Sequence, residues 1–151
     1  MNAISLAAHG LGAAAAALVL AACGGGAGGD AGSATERVPL PTSDAPEGVG
    51  MEAQLKGTLE GDADSGCVWI APSEPMAEGE RIPVVWPRGF TAEWEPLRIY
   101  RDGGELVAEE SDSIVTGGGF TATERERVPE ECRSGGEVWL VSGVQKTSSE
   151  G

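Results

Sequence analysis

Met51-Glu52-Ala53-Gln54-Leu55-Lys56-Gly57-Thr58-Leu59-Glu60 places small or apolar residues at odd positions and polar ones at even positions. Successive side chains on a strand point to opposite faces, so this alternation predicts a β-strand with one dry face and one wet face. Working outward, Gly61-Asp62-Ala63-Asp64-Ser65-Gly66 reads as a turn and Cys67 to Ala71 as a short strand apolar on both sides. Pro72 to Glu80 is a loop with two prolines, and Ile82 to Trp86 is a strand stopped by Pro87. Leu97 to Tyr100 and Leu106 to Ala108 flank Asp102-Gly103-Gly104, a hairpin turn in which glycine reaches positive φ at no steric cost. Ser113 to Thr116 runs into Gly117-Gly118-Gly119, and Glu137 to Val144 is the last strand. Thr121 to Glu131 has room for a single helical turn, limited by Pro129. About six or seven short strands with no long helix predict an all-β barrel or small sandwich over residues 51–146, followed by a disordered tail at 147–151.

Composition bounds what such a domain can do. The chain has 151 residues, with 10 basic against 24 acidic side chains and a net charge of −14. That balance disfavours nucleic acid, whose phosphates need Lys and Arg to displace counterions, and it disfavours a domain lying flat on anionic lipid. It suits a hydrated monomer. Four Trp, two Phe and one Tyr beside 24 Gly make a small core, for which a covalent staple is useful.

The segment before the barrel reads as targeting and tether. An apolar run from Leu11 to Leu20 resembles a signal peptide over residues 1–22, although no Lys or Arg precedes it, a gap that a start codon upstream of Met1 would explain. The run is too short and alanine-rich for a permanent membrane helix. It ends in Leu20-Ala21-Ala22-Cys23, which resembles the lipobox of bacterial lipoproteins: an aliphatic residue, two small ones, then cysteine. The resemblance implies a diacylglyceryl thioether on Cys23, cleavage just before it, and attachment to the extracytoplasmic face of a membrane by lipid. Residues 23–50 are rich in Gly, Ala, Ser, Thr and Pro and read as a flexible linker with a reach of about 30 Å.

Gly57-Thr58-Leu59-Glu60-Gly61, Gly66-Cys67-Val68-Trp69, the run from Pro83 to Phe90, the Gly117 triplet, and Cys132 ahead of Val138-Trp139 together resemble a group of small actinobacterial lipoproteins. The resemblance covers roughly residues 55 to 142 and implies a compact OB-like β-barrel in the cell envelope. It implies no activity.

The chemistry available is narrow. The one histidine, His9, lies in the signal segment, so the mature chain lacks a Ser-His-Asp or Cys-His mechanism and any histidine metal site. With Cys23 lipidated, Cys67 and Cys132 are expected to form a disulfide in an oxidising compartment; two separate buried thiols, or a bond to another chain, are the alternatives. Glu93 with Glu95, Glu109-Glu110 and Glu130-Glu131 are carboxylate pairs that a glycosidase would need, though adjacent glutamates on loops usually form a solvated face. Asp62 and Asp64 open like a calcium loop, but Gly66, Cys67 and Ser73 break the pattern, and an acidic turn accounts better for them. The Gly117 triplet lacks the Lys and the helix of a phosphate loop. Trp69, Trp86 and Trp139 are expected in the core, whereas Trp94 in a polar loop is the candidate contact surface.

These residues lead to a non-enzymatic, lipid-anchored envelope module without cofactor or metal, binding an envelope protein or a small ligand. The alternatives are a carboxylate-based envelope glycan hydrolase and an acidic cation-binding surface protein.

Overall fold

A computed structural model of the chain describes residues 35–74 and 80–147. The described part is all-β, with nine short strands: β1 (Val38–Pro39), β2 (Ala53–Asp62), β3 (Cys67–Pro72), β4 (Ile82–Val85), β5 (Thr91–Glu93), β6 (Arg98–Tyr100), β7 (Leu106–Glu109), β8 (Ser113–Thr121) and β9 (Val138–Lys146). Five of them close a barrel in the order β2-β3-β4-β9-β8, and β8 returns to pair with β2. All barrel pairs are antiparallel except β4 with β9, where Val84 faces Trp139 and Val85 faces Leu140 in parallel. Five strands in this order, with the third and fifth parallel, form an OB-like barrel. The remaining strands make a second antiparallel sheet, β1-β5-β6-β7.

The period-two pattern does the sorting. Leu55 and Leu59 of β2, Val68 and Ile70 of β3, Ile82 and Val84 of β4, and Trp139 and Val141 of β9 are buried in one core. That core continues into Leu40, Trp86, Phe90, Ala92, Leu97, Ile99 and Val107 around the second sheet. The opposite faces of β3, β4 and β9 are covered as well: Cys67, Val85 and Val138 meet Val128 and Cys132 in a second cluster, with Trp69 and Leu140 against it. Val128 and Cys132 come from the connection between β8 and β9. It holds two single 3-10 turns, Arg125–Arg127 and Glu130–Cys132, on either side of Pro129. Cys67 and Cys132 are joined by a disulfide with a Cα–Cα distance of 5.4 Å. Tying residues 65 apart removes loop entropy from the unfolded chain, worth about 4 kcal/mol in chain-entropy estimates.

Three expectations change. The strands number nine, because β1 and β5 have only two and three residues, too short to show a period. The glycine triplet does not end its strand: β8 runs through it to Thr121, with a bulge between Gly117 and Gly118. A Cβ at Gly118 would overlap the Leu140 carbonyl oxygen, and one at Gly119 would overlap the Met51 sulfur, so these glycines permit close approach rather than a turn.

The third correction concerns the linker. Residues 35–50 are packed, not loose. Val38 pairs with Ala92 and Pro39 with Thr91. Trp86 N–H then donates to Pro41 O at 2.8 Å, Ser43 N–H to Trp86 O at 2.8 Å, and Gly48 N–H to Ser142 O at 2.7 Å. Leu40 is buried in the main core. The stretch looked unfoldable because it has few large apolar residues, yet one leucine and a chain of main-chain hydrogen bonds hold it. Residues 23–34 of the expected linker and the 148–151 part of the expected tail lie outside the described residues.

Candidate ligand groove

A groove of about 580 Å³ lies on the wet face of β2, β8 and β9. Its floor is set by register: Gln54 faces Gly117 across β2 and β8, and Gly117 faces Gly143 across β8 and β9. One step along, Val115 faces Gln145. Two side chains that β-strands normally carry are thus missing side by side, and an amide stands on each outer strand. Arg101, just ahead of the Asp102-Gly103-Gly104 turn, supplies one wall, and Glu47 and Gly48 of the packed N-terminal segment supply another. Arg101 Nε lies 3.4 Å from Glu47 Oε2, and Arg101 Nη1 lies 3.3 Å from Glu105 Oε2. Ser142, at the bulge, fixes the corner: its hydroxyl donates to Met51 O at 2.9 Å while its carbonyl receives Gly48 N–H.

Away from the groove, one group of ionisable side chains is mutually engaged on the second sheet. Glu93 accepts from Tyr100 Oη at 2.9 Å and from Arg37 Nε at 3.1 Å, and the Arg37 guanidinium lies 3.7 Å from the centre of the Tyr100 ring. The Tyr100 hydroxyl and then Arg37 hold the Glu93 carboxyl below its ordinary range. Burial, and after it Glu93, pushes the Tyr100 phenol up. This clasp fastens the start of the N-terminal segment to the second sheet.

The residues singled out from the sequence fall in different places. Cys67 and Cys132 are together in the disulfide, and Cys23 lies outside the described residues. Trp94, the candidate contact residue, is half-buried and packed on the main core, with its ring edge about where a side chain on Gly61 would stand. The local polarity of Thr91 to Pro96 concealed that contact. Trp86 and Trp139 are buried, and Trp69 is half-buried, donating its indole N–H to Cys132 O at 3.3 Å. Of the carboxylates, Glu93 is consumed in the clasp and Glu109 by Arg98 at 2.9 Å. Glu130 and Glu131 are exposed. A smaller depression of about 350 Å³ holds Glu60 and Glu80, where Arg81 pairs with Glu60 at 2.9 Å.

The Asp62 turn is closed on itself. Its carboxylate accepts from the Ser65 hydroxyl at 2.9 Å and from Asp64 N–H at 3.0 Å, and these bonds lower its pKa. Among the described residues no three acidic, cysteine or histidine side chains converge as a metal would require.

Sequence reasoning passed over the groove, because Gln54 and Gln145 are ordinary wet-face residues and Glu47 belonged to an expected linker. The alternation at Gln54 and the isolated Gly143 were the available signals. Comparison with family models, curated proteins and solved structures gives no match.

Proposed function

We propose that this chain is a lipid-anchored, extracytoplasmic binding or accessory module of a bacterial cell envelope, similar to small actinobacterial lipoproteins, and that it works by binding rather than catalysis. The observation that carries the binding reading is the polar groove on β2, β8 and β9, whose walls bring together three separate parts of the chain. A concave site with a few convergent polar groups is the ordinary form of a small-ligand site. The lipobox-like Leu20-Ala21-Ala22-Cys23 supports the address. The disulfide is in keeping with an oxidising compartment.

The hydrolase reading finds less support at this site. Glycosidic cleavage commonly needs two carboxyl groups flanking one bond. The groove is lined by one carboxylate, Glu47, which is paired with Arg101.

The test is a photo-crosslinking residue placed at Gln145 of the native protein in intact cells, with the same residue at exposed Thr123 as control. A discrete adduct from position 145 and none from position 123 is expected. Identical adducts from both positions, or none from 145, would contradict the groove as the working surface.

A further inference from the structure

We propose that the groove takes an uncharged, polyhydroxylated ligand of oligosaccharide chemistry, laid across Gly117 and Gly143 between the amides of Gln54 and Gln145. This rests on the groove being the binding site and adds the class of ligand.

Gly143 has no structural reason to be glycine. A Cβ there would meet nothing within 4 Å, and its φ is not in the positive region. By contrast, a Cβ at Gly57 would overlap the Ala71 carbonyl oxygen, and one at Gly118 the Leu140 oxygen. An interior strand glycine weakens its strand, and where packing does not require it, close approach of another molecule is a standing explanation. Gly117, facing Gly143, extends the floor as far as the Ser142 hydroxyl, which would lie 3.0 Å from a Cβ at Gly117.

The surroundings then select the chemistry. Arg101 sits between Glu47 and Glu105, so its charge is already balanced in a chain of net charge −14. Lys56 faces Val115 at one end of the groove, so the bias against phosphates and uronates comes from the net negative charge of the chain rather than from the lining alone. Val115 and Val144 are the apolar side chains of the lining, so a hydrophobic anchor has no pocket to fill. β8 is paired on both sides at Gly117, to Gln54 and to Gly143, which leaves no free strand edge there for an extended peptide. What remains is neutral hydrogen bonding. Each glutamine amide offers donors and an acceptor on one planar group, which suits vicinal hydroxyls. Both amides are exposed, and among the described residues no hydrogen bond to another residue occupies them. They stand on outer strands separated by β8 and offset by two residues along it, so their backbones are about 12 Å apart at the spacings of a sheet.

The test titrates the full-length chain in detergent with chitotetraose and maltotetraose as neutral probes, tetragalacturonate as the charged probe and tetra-alanine as the peptide probe. At least one neutral sugar should bind more tightly than the charged and peptide probes. Gln54→Ala with Gln145→Ala should weaken it by about 10-fold or more, the loss of roughly one good hydrogen bond at each end. Gly143→Val should abolish binding with its melting temperature retained, because the added side chain enters open space; if that variant fails to fold, the surface glutamine pair still decides. No binding of either neutral sugar, equal or tighter binding of the charged or peptide probe, or unchanged binding in the glutamine double variant would overturn the proposal. A specific adduct at position 145 in cells together with no sugar binding would remove the ligand class and leave the groove standing as a binding site.

Discussion

Gly118 and Gly143 lie on adjacent strands and are glycine for opposite reasons. At 118 the Leu140 carbonyl and the Trp139 indole occupy the space a methyl would need. At 143 the space is open. Gly118→Ala is therefore expected to destabilise the fold by at least about 1–3 kcal/mol through overpacking. Gly143→Ala should be neutral or raise stability by about 0.5–1 kcal/mol, the usual gain over a strand glycine. Urea denaturation of the two variants checks this, and equal losses would contradict it. The sequence shows both residues as strand punctuation and cannot distinguish them, because the crowding comes from neighbours on β9. Trp94 is a like case: its polar sequence neighbours say nothing of its contact with the core, which depends on tertiary packing.

At the level of elements, the barrel strands were legible where a pattern ran for four or more residues, as alternation in β2 and as a continuous apolar run in β9. The short strands β1 and β5 of the second sheet were not legible, because they owe their conformation to pairing partners distant in sequence, β5 for β1, and β1 and β6 for β5. The segment 35–50 is the clearest case, since its fixation depends on Leu40, the Trp86 main chain and the Arg37–Glu93–Tyr100 clasp. Leu40→Ala should cost about 2–5 kcal/mol, as for other buried leucines, and should speed amide exchange from Val38 to Gly48. A loose linker would show neither effect. The clasp also sets a pH dependence. The Glu93 carboxyl is held below its ordinary range, so its stabilising contribution is complete above the unfolded-state pKa and is lost as pH falls through the lower folded-state value. Glu93→Gln should therefore melt lower than the native chain at neutral pH, and the difference should shrink in acid. Melting curves from pH 7 to about pH 2 read this; a constant difference would contradict it.

For the whole molecule, an OB-like barrel leaves its function to the surfaces grafted onto it. The ligand face of such barrels is commonly formed by the second and third strands with the loops beside them. Here the corresponding face of β3 and β4 is covered by the connection carrying Val128 and Cys132, and the disulfide ties that cover to β3. The open groove lies instead on β2, β8 and β9, walled by the segment that follows the lipobox-like stretch. A lipid-tethered, oxidised module with an open groove is the combination proposed for this chain. The intact mass of the protein, purified from native membranes without reductant, tests that combination in one spectrum. The expected species begins at Cys23, carries a diacylglyceryl group, and is two hydrogens lighter than its reduced form. A chain that begins elsewhere, bears no lipid and retains free thiols at Cys67 and Cys132 would contradict it.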